Sequence, residues 1–86
     1  VRVEGDSMEG AGIFSGDVLV VDRSVDTKDG RIVVAAVNGE MLVKRLAKLD
    51  GQQVLLSAND QYEPVVLGED EECFIWGVVV GSVRQF

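Results

Sequence analysis

The sequence predicts a mainly β fold: a curled, barrel-like antiparallel sheet with at most one short helical turn. Apolar runs of strand length, about six or seven in number, are separated by turn signals roughly every eight to twelve residues. Apolar residues at helical spacing are almost lacking. This combination is typical of antiparallel β domains. Because the chain shows no linker or internal repeat, we expect a single domain over residues 1–86.

The first part of the chain predicts a strand, a helical turn and a second strand. Residues 1–4 form the first strand, and residues 7–13 contain one turn of helix whose length Gly10 and Gly12 limit. Val18–Asp22 follows a Ser-Gly-Asp turn and is a nearly continuous apolar run. Such a run is typical of a strand that is covered on both sides, so we expect both of its faces to be buried.

A β-hairpin is the clearest local prediction. Asn38-Gly39 lies between the apolar runs 31–37 and 40–48, and a two-residue type I′ turn needs positive φ at both positions, which Asn and Gly tolerate. Asp50-Gly51 offers a second hairpin turn that leads into a strand at 53–57. Lys44 therefore lies on a rigid element.

The C-terminal part predicts a polar loop, a short strand and a long final strand. Pro64 ends the loop before the run 65–67, and the acidic segment 68–72 is interpreted as a solvated loop. Gly77 and Gly81 interrupt the last strand, 73–83, which indicates a bulge or a close strand crossing. We interpret Cys73 as a packed, inert thiol and Trp76 as a core or dimer contact.

Composition excludes several classes of function. With no histidine and one cysteine, the chain has no metal-binding constellation, internal disulfide or Ser-His-Asp triad, and no cofactor is expected. A net charge of −7 argues against direct binding of nucleic acid by this domain. No apolar run reaches membrane-spanning length, and the single cysteine fits a cytoplasmic location. A core this small favours a homodimer.

Ser7 is a candidate nucleophile only if a base lies near it. Gly5-Asp6-Ser7 is ordinary turn chemistry when taken alone, because Asp and Ser side chains bond nearby backbone amides. Since the chain has no histidine, the base would have to be an amine, as in Ser-Lys dyads.

Lys44 is the candidate base because its neighbours are unusual for a surface lysine. A strand's period of two places Leu42, Lys44 and Leu46 on one face, and apolar groups also occupy the other. Either Lys44 or Arg45 must therefore approach apolar surroundings. Burial lowers the pKa of a lysine from its ordinary value near 10.4, which would make a neutral amine available. The alternative is a stem that lies on apolar surface while the ammonium reaches water.

An ordered set of motifs runs along nearly the whole chain: Gly5-Asp6-Ser7-Met8, Gly12-Ile13, Gly16-Asp17, Leu19-Val20-Val21-Asp22, Gly30 with Ile32-Val33, Asn38-Gly39-Glu40 and Val43-Lys44-Arg45-Leu46. Together they resemble the peptidase domain of the LexA/UmuD superfamily, whose nucleophile and base are separated by the same 37 positions as Ser7 and Lys44. The segments 20–22, 35–40 and 59–64 make the chain most similar to UmuD-type mutagenesis proteins.

The resemblance implies a LexA-type peptidase fold and a serine endopeptidase that cuts its own chain. Neutral Lys44 would take the proton of Ser7, and the backbone amides of Asp6 and Ser7 are the oxyanion-hole candidates. Relatives are cut at Ala-Gly or Cys-Gly in an N-terminal arm. Only six residues precede Ser7 here, so we expect a shortened, post-cleavage form. Ala11-Gly12 follows the nucleophile and is rejected as the cleavage site.

The resemblance also implies partners. In the UmuD branch, RecA filaments on single-stranded DNA stimulate self-cleavage during the SOS response to DNA damage. The shortened homodimer then joins a UmuC-like translesion polymerase. Two alternatives stay open: the C-terminal autocleavage and dimerisation domain of a LexA-like or phage-type repressor, and an interaction module whose Ser7 and Lys44 are not catalytic. A signal peptidase, which also uses a Ser-Lys dyad, is disfavoured, because it needs a membrane anchor or an apolar docking surface and this acidic sequence predicts neither.

Overall fold

The computed structural model describes residues 1–59, 61–67 and 73–84. The elements in this part of the chain are a 3-10 helix at Glu9–Ala11, then β1 Val18–Asp22, β2 Ile32–Val37, β3 Glu40–Leu49, β4 Gln52–Leu56, β5 Val65–Val66 and β6 Cys73–Val83. The six strands form one antiparallel sheet in the order β1-β6-β2-β3-β4-β5, which is not closed and has β1 and β5 at its edges. The predicted mainly β class with one short helical turn is confirmed.

Both predicted hairpin turns are confirmed. Asn38 and Gly39 have φ values of 49° and 84°, and Asp50 and Gly51 have values of 51° and 79°. These positive angles are the ones that a two-residue type I′ turn requires. The turns place β3 between β2 and β4, so that Lys44 lies near the middle of β3, opposite Val33 of β2.

The expectation that Val18–Asp22 is buried on both faces is wrong. Leu19 is 3% exposed, whereas Val20 is 50% exposed. β1 is an edge strand, and only one of its faces is covered. Leu19 on that face packs against the N-terminal segment, and Val20 on the other face is exposed. The predicted strand at residues 1–4 contributes a single bridge, between Arg2 and Val18.

The glycines of β6 mark irregular pairing, as predicted. The register of β6 shifts against β1 next to Gly81 and against β2 next to Gly77, which leaves one extra residue of β6 in each place. A Cβ on Gly77 would lie 2.6 Å from Val21 Cγ1. A side chain at this position would therefore force Val21 to shift, so glycine allows the close approach of β6 and β1.

Two apolar clusters occupy the two faces of the sheet. The first contains Val33, Ala35, Val37, Leu46, Leu55 and Val78. The second contains Val3, Met8, Ile13 and Leu19, with Ile32 and Val43 packed against it. Because residues alternate along β3, Leu46 belongs to the first cluster and Val43 to the second. The N-terminal segment that carries Ser7 therefore covers one face of the sheet.

The other side-chain predictions concern β6 and the loops. Cys73 is half-buried and packs against the first cluster. Trp76 is half-buried, and the Arg23 guanidinium lies 4.7 Å from the centroid of its ring. The acidic segment 68–72 lies outside the described residues. Over the ranges that the structure does describe, no helix is long and apolar enough to cross a membrane; the cytoplasmic location stays a prediction.

Candidate active site

Lys44 is sheltered as the strand pattern predicts. It is 7% exposed, and Leu42 and Leu46 flank it on the same face of β3. Desolvation by this burial lowers the pKa of Lys44 below its ordinary value of 10.5. The structure thus shelters most of the side chain, and the hydrogen bond that its Nζ makes is partly buried.

The hydrogen-bond partner of Lys44 is Ser57, a residue that the sequence analysis did not assign to the site. Lys44 Nζ donates to Ser57 Oγ over 2.7 Å. The last pair of the β3–β4 ladder joins Arg45 and Leu56, so the next position places Ser57 directly opposite Lys44. The sequence contained the information needed to find Ser57. A two-residue turn at Asp50-Gly51 sets the pairing of β3 with β4, and Lys44 and Ser57 lie equally far from that turn on either side.

Tyr62 contacts both Lys44 and the segment before Ser7. The centroid of its ring lies 5.1 Å from Lys44 Nζ, and its hydroxyl donates a hydrogen bond to the Asp6 carboxylate. This hydrogen bond raises the pKa of Tyr62, so the phenol remains protonated. The Tyr62 ring favours the protonated, cationic form of Lys44, whereas burial favours its neutral form.

The Ser7 turn rests on the segment between β4 and Pro64. Asn59 Nδ2 donates to the Asp6 carbonyl oxygen over 3.2 Å, and Gly10 N donates to the Ala58 carbonyl oxygen over 2.8 Å. A Cβ on Gly10 would lie 2.4 Å from that oxygen, so only glycine allows the contact. Met8 is almost fully buried and anchors the turn in the second cluster.

Residues 57–59 and 61–62, here called the bridging segment, thus contact Lys44 and residues close to Ser7 in the chain. Ser57 and Tyr62 contact Lys44, whereas Ala58, Asn59 and Tyr62 contact the chain on either side of Ser7. Within the described ranges, no hydrogen bond joins Ser7 to Lys44. The dyad therefore stays a prediction.

The backbone N–H groups of Asp6 and Ser7 are the candidates for the oxyanion hole, which requires donors that are not already bonded. Across the described part of the chain, the backbone N–H groups of Asp6 and Ser7 donate no hydrogen bond. Ser7 is half-buried and lies just before the 3-10 helix. The role of the two amides in an oxyanion hole stays a prediction.

A second polar cluster lies at Asp17 and Arg84. Asp17 is 1% exposed and accepts hydrogen bonds from Arg84 Nε and Nη2, at 2.9 and 3.0 Å, and from Phe14 N at 2.9 Å. The Arg84 guanidinium and the Phe14 amide lower the pKa of Asp17 to about 2. The cluster lines a cavity of about 360 Å³ together with Ser15 and Gly16. It ties the end of β6 to the loop before β1.

Comparison with known proteins points to one family. The model of the S24-like peptidases matches residues 1–80. The chain is similar to LexA repressor 2 of Pseudomonas putida (40% identity over 85 residues, 99% of this chain and 42% of the relative). It is also similar to the LexA repressor of Bordetella pertussis (39% over 84 residues, 98% and 39%). The chain spans about two fifths of the length of the curated relatives it matches.

Proposed function

The chain belongs to the S24 peptidase family, and we propose that it is the self-cleaving serine peptidase domain of a LexA-like repressor, with Ser7 as nucleophile and Lys44 as general base. The observation that supports this most is the burial of Lys44. Among the described residues no carboxylate pairs with its amine, and an unpaired buried lysine can lose its proton near neutral pH.

The relatives favour the repressor over the mutagenesis branch. Those reported above carry the name LexA repressor, whereas the segments used in the sequence analysis favoured a UmuD-type protein. We therefore place the repressor first, and a UmuC-like polymerase partner has no support from the comparisons. Homodimerisation and stimulation of cleavage by a RecA filament fit a LexA-like protein and are part of the proposal.

The chemistry follows from the two side chains and the turn. Neutral Lys44 takes the Ser7 proton while Ser7 Oγ attacks the scissile carbonyl carbon, and the backbone amides of Asp6 and Ser7 stabilise the oxyanion. The C–N bond then breaks, and the lysine ammonium gives its proton to the leaving amine. Water hydrolyses the resulting ester and regenerates Ser7, with Lys44 again acting as the base.

Cleavage of a peptide supplied in trans tests this proposal. The 86-residue chain is incubated with a peptide that carries an Ala-Gly bond, and products are followed by mass spectrometry across neutral and alkaline pH. We expect a rate that rises with pH as Lys44 loses its proton and that disappears in Ser7→Ala and Lys44→Ala. Lys48→Ala, an exposed lysine on the same strand, and Ser15→Ala, an exposed serine, are the matched controls.

A lack of cleavage would distinguish the peptidase from the interaction module whose Ser7 and Lys44 are not catalytic. A folded chain that cleaves no peptide at any pH would exclude the peptidase and favour a module that acts through interaction alone. Cleavage that survives in Lys44→Ala would exclude the assigned base while leaving a peptidase.

A further inference from the structure

The hydrogen bond from Lys44 to Ser57 has no role in the two-residue mechanism. It is nevertheless a direct contact, since Lys44 Nζ lies 2.7 Å from Ser57 Oγ, while the centroid of the Tyr62 ring lies 5.1 Å from Nζ. Ser57 is half-buried, and it lies directly opposite Lys44 at the end of the β3–β4 ladder. Lys44 lies within β3, and Ser57 directly follows Leu56, the last paired residue of β4, so the contact joins one strand to the residue just after its neighbour.

We propose that Ser57 is a positioning residue for the general base: its hydroxyl oxygen accepts one N–H of Lys44 and fixes the amine where it can take the nucleophile's proton. The inference rests on the proposed function, in which Lys44 is that base. Ser57 acts through Lys44 and does not itself need to touch the substrate.

The bonding of an amine explains why a hydroxyl suits this position. A neutral amine has two N–H groups and one lone pair, so that donation of one N–H to Ser57 leaves the lone pair for the proton of Ser7. A lysine side chain is flexible, and an amine without this acceptor would sample several positions. A carboxylate at the same position would hold the lysine as a cation, and a methyl group would leave its N–H without a partner.

The groups facing Lys44 show what Ser57 competes with. Leu42 and Leu46 lie on its own strand, and Tyr62 presents its ring, with the Asp6 carboxylate beyond the Tyr62 hydroxyl. The ring attracts the cation, whereas Ser57 can bond the amine in either protonation state. Without Ser57, the Tyr62 ring would still attract Nζ.

The backbone next to Ser57 connects this contact to the nucleophile. Ala58, the following residue, accepts the hydrogen bond from Gly10 N, three residues after Ser7. The same short segment therefore sets the position of the amine and supports the turn that carries the hydroxyl. Positioning of this kind matters because an error of about 1 Å in a reacting group can lower a rate by about 100-fold.

The test compares Ser57→Ala, Ser57→Thr and the control Ser15→Ala in the 86-residue chain. We expect Ser57→Ala to lower kcat for the Ala-Gly peptide by roughly 10-fold with an unchanged KM, because orientation is lost and binding is not. Ser57→Thr keeps a hydroxyl and should restore most of the rate, and Ser15→Ala should behave like the parent chain. Thermal unfolding of each variant separates loss of fold from loss of position.

A second readout does not depend on cleavage. The titration of Lys44, followed by NMR of ¹³C-labelled lysine, should move to lower pH in Ser57→Ala, because the acceptor that favours the ammonium is lost. The rate profile should move in the same direction. An unchanged kcat and an unchanged titration in Ser57→Ala would overturn the inference.

Two further results are distinguishable. If the parent chain cleaves nothing, the proposed function fails, and an unmoved Lys44 titration in Ser57→Ala would reject the hydrogen bond as well. If cleavage survives in Ser7→Ala but is lost in both Ser57→Ala and Ser57→Thr, Ser57 is not a positioning residue and the nucleophile has been assigned to the wrong serine.

Discussion

Two buried charged residues of this chain have opposite surroundings. Asp17 is bound by the Arg84 guanidinium through two hydrogen bonds, and its pKa is lowered to about 2. Lys44 is bound by a neutral hydroxyl, and burial lowers its pKa. The first residue is held in its charged form, and the second is pushed toward its neutral form. A buried charge with a counter-ion contributes to structure, whereas one without is suited to proton transfer.

The largest expected effect on cleavage comes from giving Lys44 a partner of opposite charge, as Asp17 has in Arg84. Ser57→Asp would place a carboxylate opposite the amine and raise the pKa of Lys44, because an opposite charge favours the ammonium. Peptide cleavage near neutral pH should fall on the order of 1,000-fold, the range that a general base contributes. The rate is measured against pH, and Ser15→Asp serves as the control for added charge. An unchanged pH profile would contradict the comparison.

The converse change removes the counter-ion of Asp17. Arg84→Met should lower the melting temperature by several degrees near neutral pH, because a buried carboxylate is left without its cation. The folded-state pKa of about 2 lies below the ordinary value of 3.8, so the stabilisation is fully present above pH 3.8 and is lost as pH falls through 2.

Thermal melts between neutral and acidic pH check this prediction. The difference between the parent chain and Arg84→Met should shrink as the pH approaches 2. Arg31→Met, which changes an exposed arginine, should melt like the parent chain. A constant difference at every pH would show that Arg84 stabilises through its packing on Phe14, whose ring centroid lies 4.6 Å from the guanidinium.

The smallest expected effect tests whether Tyr62 or Ser57 determines the state of Lys44. Tyr62→Phe keeps the ring and removes the hydrogen bond to Asp6, so cleavage should fall only about two- to threefold. The titration of Lys44 should stay where it is, since the ring is retained. A larger loss of cleavage rate, or a shifted titration of Lys44, would show that the hydrogen bond between Tyr62 and Asp6 affects the amine more than Ser57 does.

Local chemistry made much of the fold and part of the site predictable. Asn38-Gly39 and Asp50-Gly51 specify two-residue turns through the φ angles that only a few residues tolerate. The alternation of Leu42, Lys44 and Leu46 indicated a sheltered amine, and the structure buries it. The turns depend on neighbours in sequence, so the sequence by itself determined them, whereas the burial of Lys44 also required the segment with Ser57 and Tyr62 that packs against it.

The tertiary structure decided which distant groups meet. Val18–Asp22 has the composition of a central strand and lies at an edge, because the order of strands depends on long-range pairing that composition does not encode. The contacts of Tyr62 with Asp6 and of Arg84 with Asp17 join residues more than fifty positions apart. Ser57 is intermediate: a turn sets its register with Lys44, but the hydrogen bond itself required the folded strands.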